Sequence, residues 1–227
     1  MKKRSMELVM ACLMLVCFFV LAREAAVTAS QPSRDPVIVI DTGHGGEDPG
    51  MLGVGGLKEK GINLAVAWKL KEILQEQGFS VVMTREEDTC LCGEDGRNKK
   101  AQDMQKRIAI IEEASPLLTV SIHQNSYQDP EVFGPQVFYY TDSAEGEALA
   151  GFLQEELNQG LSIKRPRKEK GNKTYYLLKK SKGVLAIVEC GFLTNPEEAA
   201  LLQEEKYQKK VAEAIARGIG RYLEKKI

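Results

Sequence analysis

The sequence predicts an α/β fold, a single domain built on a mostly parallel, twisted sheet of about six strands with helices on both faces. Three observations lead there. Residues 37–40, Val-Ile-Val-Ile, are apolar and β-branched without alternation, the pattern of a central parallel strand buried on both faces. A second apolar run, LLTVSIH, ends at His123. Runs of this kind alternate along the chain with segments of helical periodicity, which argues for a parallel sheet covered on both sides.

The elements follow in order. Residues 30–36 are polar and contain Pro32 and Pro36, so they read as a linker, and the folded domain is expected over 37–227. After the first strand the chain turns through Gly43, His44, Gly45 and Gly46. Ile62, Val66, Leu70, Ile73 and Leu74 then recur at helical spacing, with Gly78 closing the helix. Residues 79–83 form the second strand, 85–100 a polar loop, and Met104, Ile108 and Ile111 the apolar stripe of the next helix. The strand ending at His123 is followed by another over 136–140 and by a helix over 143–158. The basic run Lys164, Arg165, Arg167, Lys168, Lys170 and Lys173 is a loop, readable as a solvated face or as a grip for an anionic polymer. Residues 175–178 read as a short strand, 184–188 as a clear one ending on Glu189, and 196–204 and 207–224 as closing helices.

Composition bounds the function. With 43% hydrophobic and 28% charged residues the chain falls among ordinary globular domains, neither disordered nor fibrous. A formal net charge of -1 argues against nucleic acid as partner. Residues 1–29 are a separate object: Lys2, Lys3 and Arg4 precede an apolar run over 8–22, shorter than the roughly 20 residues of a spanning helix. The small residues Val27, Thr28 and Ala29 resemble a cleavage site, so 1–29 is expected to be a signal peptide or an N-terminal anchor, the protein's one link to the membrane. Export across the cytoplasmic membrane follows from it. Cys90, Cys92 and Cys190 are an odd set in the exported chain; a disulfide, a free thiol and an adventitious metal site all fit.

The chain has two histidines, His44 and His123, and both end apolar runs beside Gly or Asn. In open α/β sheets ligands bind at the carboxyl ends of the strands, so neighbouring strands would bring both imidazoles to one metal site. Glu189 lies inside an apolar run, where a carboxylate costs several kcal/mol unless it is paired or used. Glu59 is ambiguous by itself, because Glu in the first turn of a helix is favoured by the macrodipole alone. Asp41 either orients a ligating imidazole from behind or caps the turn. Arg85 and Asp88 read as an ordinary loop ion pair.

Taken in order, IDTGHGGEDPG, GLKEKGINLA, MTREED, SIHQNS and VECGFLTNPEEAALL resemble the motifs of the zinc-dependent N-acetylmuramoyl-L-alanine amidases of the type 3 family, over residues 37–223. Within that family, DMQKRIAIIEEASP, SIHQNSY, TYYLLKK and VECGFLTN are most similar to the germination-specific spore cortex amidases. Asn125, two residues past His123, is expected to meet the substrate; the resemblance implies that His44, Glu59 and His123 hold Zn2+ and that Glu189 is the catalytic carboxylate. It implies hydrolysis of the amide between N-acetylmuramic acid and L-alanine in peptidoglycan, in the cell wall or the spore cortex, on the way to muramic-δ-lactam. Some members of the family are blocked by a helix inserted between the second histidine and the glutamate; the interval 123–189 holds no spare apolar helical segment here. Control would then come from timing, location or an activating protein partner that orders the glycine-rich loop around Glu59. Two other classes compete, a zinc exopeptidase acting on wall peptides and a non-catalytic wall-binding module.

Overall fold

The structure, a computed structural model, describes residues 36–93 and 97–226 together with Met14 and Cys17. The expected signal segment and most of the linker lie outside the described residues. Among the described residues no helix is long and apolar enough to cross a membrane. Residues from Pro36 onward form one unit.

Six strands make one sheet: β1 (Val37–Thr42), β2 (Ser80–Met83), β3 (Leu118–Asn125), β4 (Gln136–Tyr140), β5 (Lys170–Asn172) and β6 (Leu185–Phe192). Their spatial order is β2-β1-β3-β6-β4-β5, with β2, β1, β3 and β6 parallel and β4 antiparallel to β6. The predicted mostly parallel sheet is what the chain builds. The helices are α1 (Glu59–Glu76), α2 (Lys99–Ala114), α3 (Ala144–Gly160), α4 (Tyr176–Lys180), α5 (Pro196–Leu201) and α6 (Glu205–Glu224).

Period-two alternation divides the sheet into two faces. Ile38, Ile40, Val120, Ile122, Ala186 and Val188 point into a large core closed by α1, α3 and α6. Val39, Leu185 and Ile187 point the other way, into a smaller core with Ile111 of α2 and Leu177 and Leu178 of α4. Helix starts are set by local chemistry. The Ser143 hydroxyl accepts from Gly146 N at the start of α3, and the Asn195 side chain accepts from Glu198 N at the start of α5, where Pro196 occupies the first helical position.

Three expectations are corrected. Residues 175–178, expected as a strand, enter α4 instead: the Asn172 side chain accepts from Thr174 N and Tyr175 N, a turn that ends the extended chain, and the helix then buries Leu177 and Leu178 together. The basic loop contains β5, which pairs parallel with β4 from Phe138 to Tyr140. β6 runs on to Phe192, so Glu189 stands inside the strand and not at its end.

Candidate active site

On the small-core side, successive inward positions grade from apolar to polar toward the carboxyl edge of the sheet. β1 runs from Val39 to Asp41, β3 from Thr119 through Ser121 to His123, and β6 from Leu185 through Ile187 to Glu189. His123 and Glu189 are direct partners in the parallel β3/β6 ladder, so they share a face of the sheet about 4.8 Å apart in backbone spacing. His44 lies two residues past β1, and Glu59 opens α1.

One ligand atom from each of His44, Glu59 and His123 lies within 4.8 Å of the others, an arrangement that could hold a metal ion. Glu59 is the hub. Its Oε2 lies 3.2 Å from His44 Nε2 and its Oε1 2.9 Å from His123 Nδ1. It also accepts from the backbone N–H groups of Met51 and Gln124 and from Asn63 Nδ2. Burial alone would raise its pKa, but hydrogen bonding and charge from His123 and His44 hold the carboxyl far below the usual range. The imidazoles meet edge to face with centroids 4.9 Å apart. Burial opposes the charged form of His44, yet Glu59 and Asp48 outweigh it and raise the pKa.

Two glycines allow this convergence. A Cβ on Gly43 would sit 2.4 Å from His123 Cε1, and one on Gly50 2.4 Å from Glu59 Oε2. His44 itself has φ 59°, a left-handed conformation that a side chain rarely adopts without support. The support comes from two arginines. Arg107, fully buried in α2, donates to the carbonyls of Thr42 and His44 and to Asp41. Arg85 donates to the carbonyls of Thr42, Gly43, His44 and Lys60. Burial and the neighbouring Arg107 lower the Arg85 pKa to about 10, whereas Arg107 is raised because Asp41 and Asp103 outweigh its burial.

Several predicted site residues take different parts. Asp41 makes no hydrogen bond to an imidazole among the described residues; it accepts from Ser121, Thr84 and Arg107, and although burial would raise its pKa, Arg107 and Ser121, with the charge of His123, together lower it. The carboxylate behind a histidine is Asp48, whose Oδ2 lies 2.8 Å from His44 Nδ1. Arg85 and Asp88 do not form the expected loop pair, since Asp88 bridges to Lys60 at 2.7 Å and accepts from Gly46 N. Asn125 lines the cleft, its Oδ1 accepting from Ser126 N. Cys90 and Cys92 are joined in a disulfide, and Cys190 is a buried free thiol. Glu59 is not carried on the glycine-rich loop but on α1, where its N–H donates to Met51 O.

A cleft of about 700 Å³ opens above these residues, with Lys99, Lys100 and Met104 of α2 on one side and Tyr175, Tyr176 and Leu177 on the other. Glu189 reaches it from β6. Its burial raises the carboxyl pKa to about 7, partly offset by the imidazoles, and its Oε2 has no hydrogen-bond partner among the described residues. A buried carboxyl with a free oxygen beside a two-histidine, one-glutamate cluster can exchange a proton near neutrality.

Comparison with known proteins agrees with the geometry. Residues 38–221 match the family described as N-acetylmuramoyl-L-alanine amidase. The chain is 42% identical over 200 residues to the germination-specific N-acetylmuramoyl-L-alanine amidase of Bacillus subtilis, covering 87% of this chain and 84% of that protein. Its fold superposes on the CwlD amidase of Clostridioides difficile, solved in complex with the GerS lipoprotein, with TM-score 0.81 and 37% identity over 84% of this chain and 99% of that one. An amidase of Nostoc punctiforme aligns with TM-score 0.73 and 35% identity, over 83% and 97% of the two chains. The fold, the convergent cluster and the match over residues 38–221 lead to one conclusion: the chain belongs to the N-acetylmuramoyl-L-alanine amidase family.

Proposed function

We propose that this amidase is zinc-dependent, with His44, Glu59 and His123 as ligands and Glu189 as the catalytic carboxylate, and that it acts on spore cortex peptidoglycan on the way to muramic-δ-lactam. The observation that carries the reading is the pairing of His123 with Glu189 across β3 and β6, with Glu189 Oε2 left without a partner at the edge of the cluster. Two imidazoles and a carboxylate suit zinc in ligand type, and three protein ligands are the number found in catalytic rather than structural sites. When bound, zinc supplies a Lewis acid that polarises the scissile carbonyl and lowers the pKa of water toward about 7.

The chain's own groups do the rest. Asp48 fixes the His44 ring by holding Nδ1, which leaves Nε2 facing Glu59. The backbone N–H of Gln124 and the Asn63 amide hold the Glu59 carboxylate in place. Glu189 takes a proton from the attacking water on Oε2 and returns it to the nitrogen of L-alanine as the amide bond breaks, a general base turned general acid. A pKa of about 7 suits both halves of that exchange. Asn125, on the cleft wall, hydrogen-bonds the substrate.

The cortex role is supported by the 42% identity to a germination-specific relative. Action outside the cytoplasm, after export on residues 1–29, is supported by the Cys90–Cys92 disulfide, a bond that persists in oxidising compartments. An activating protein partner is supported by the relative solved with a lipoprotein.

Product analysis on purified wall fragments tests the activity: a freed lactyl carboxylate on muramic acid is expected. A freed terminal amino acid would make the protein an exopeptidase, and no product from the zinc-loaded protein would make it a binding module.

A further inference from the structure

Residues 164–182 are unlike the rest of the chain in charge. They hold nine of its 31 Lys and Arg residues and one of its 32 Asp and Glu residues. Lys173 and Lys182 have ion-pair partners, Asp142 and Glu112. Arg167 is anchored, donating to the Phe133 carbonyl and lying 5.2 Å over the Phe192 ring. Lys164, Arg165, Lys168, Lys170, Lys179 and Lys180 are exposed and, among the described residues, form no ion pair.

The segment is tied to the cleft at two points. Gln136 is the β4 partner of Glu189, and its side-chain Nε2 donates to the Lys168 carbonyl. One ladder pair and one side-chain hydrogen bond therefore link Glu189 to the Lys168 backbone. Farther along, Tyr175 and Tyr176 line the cleft itself. Lys170 stands on β5, the edge strand beyond β4, and Lys168 lies two residues before it.

We propose that Lys164, Arg165, Lys168 and Lys170 form a cationic shelf that holds the free carboxylates of stem peptides next to the one being cut. The inference rests on the amidase reading. A glycan strand carries stem peptides at regular intervals, each with carboxylates that stay ionised at neutral pH. One exposed lysine gains little from one carboxylate, and salt screens it. Several cations facing a repeated anion on one polymer act together, because each contact raises the local concentration of the next. The shelf keeps the enzyme on an insoluble strand between cuts without touching the reacting atoms. Arg167, spent on the Phe133 carbonyl, fixes the loop and is left out of the charge count.

The test compares the zinc-loaded full chain with a K164E/R165E/K168E/K170E variant. Two substrates are used, a soluble single muramoyl peptide and intact peptidoglycan sacculi, with co-sedimentation on sacculi measured in the Glu189→Gln background. The soluble substrate is expected to be cut within about twofold of the parent, while cutting and retention on sacculi fall about tenfold or more. Raising NaCl from about 50 to about 300 mM should release the parent and leave the variant little changed. Sacculi whose carboxyls have been amidated should retain the parent no better than the variant. Equal behaviour of parent and variant on sacculi overturns the proposal, as does full retention on amidated sacculi, or stronger binding to 7:3 phosphatidylcholine:phosphatidylglycerol vesicles than to sacculi. Should the reversals unfold the chain by circular dichroism, the milder K164Q/K168Q pair must show the same loss in smaller measure, and no loss there overturns the proposal. A failed amidase reading shows separately, as absence of cutting on both substrates while salt-sensitive retention remains.

Discussion

Arg107 Nη1 lies 2.8 Å from Asp41 Oδ1, both side chains are buried, and the same guanidinium reaches the His44 carbonyl through Nη2. The pair joins α2 to β1 and pins the left-handed residue that carries the first imidazole. Removing one member strands a buried charge.

Arg107→Met is therefore expected to destabilise the domain by about 3–5 kcal/mol in urea unfolding. Arg107→Lys should recover part of that loss and little of the zinc affinity, since an ammonium cannot serve Asp41, Asp103 and two carbonyls in one plane. A destabilisation under about 1 kcal/mol for the methionine variant would remove the clamp from the account.

Asp48→Ala should weaken zinc binding about 10–100-fold, because the His44 ring loses the partner on Nδ1 that fixes its orientation. Isothermal titration reads the affinity and circular dichroism checks the fold. Unchanged affinity would show that the arginine clamp alone orients the ring.

Gly43→Ala and Gly61→Ala make a contrast within the same stretch of chain. A Cβ at Gly43 meets the His123 ring, whereas at Gly61, in the first turn of α1, nothing lies within 4 Å. The first is expected to abolish tight zinc binding and most activity. The second should leave activity intact and stabilise by about 0.5–1 kcal/mol, the helix preference of Ala over Gly.

Much of this arrangement is legible in the chain, because unbroken β-branched runs ending on polar residues mark buried parallel strands and their functional ends. That logic brings His44, His123 and Glu189 toward one edge of the sheet from sequence alone, although β6 continues past Glu189 to Phe192. It does not reach Asp48 or the two arginines. Asp48 sits in a glycine-rich turn where an acid looks like any other loop acid, and Arg85 contacts carbonyls 41 to 43 residues away. One signal was available for Arg107: it falls on the same helical stripe as Met104, Ile108 and Ile111, so it had to point inward. The 175–178 segment misleads because aromatic propensity favours a strand, whereas burial of adjacent Leu177 and Leu178 against the small core decides for a helix.

The metal-free protein should lose stability as pH rises from about 5 to 8. Glu189 has a folded pKa of about 7 against an ordinary 4.5, so its neutral form stabilises the fold fully below about 4.5 and the contribution is lost as pH rises through about 7. The shift corresponds to about 3 kcal/mol. His44, raised by its carboxylate partners, acts with the same sign, while Asp41 and Glu59, both depressed, stabilise above the ordinary carboxylate range and lose effect only as pH falls below it. The difference between parent and Glu189→Gln in denaturant midpoints across that pH range isolates Glu189. A parallel pair of curves would contradict its raised pKa.

The most direct test of the central claim is single-turnover hydrolysis of a muramoyl-L-alanyl peptide by the zinc-loaded Glu189→Gln variant. Glutamine keeps the size of the side chain but cannot take the proton from water, so a loss of about 10²–10⁴-fold in rate is expected, with zinc stoichiometry and thermal stability kept. A rate within tenfold of the parent, at full zinc occupancy, would contradict the role of Glu189 and with it the mechanism.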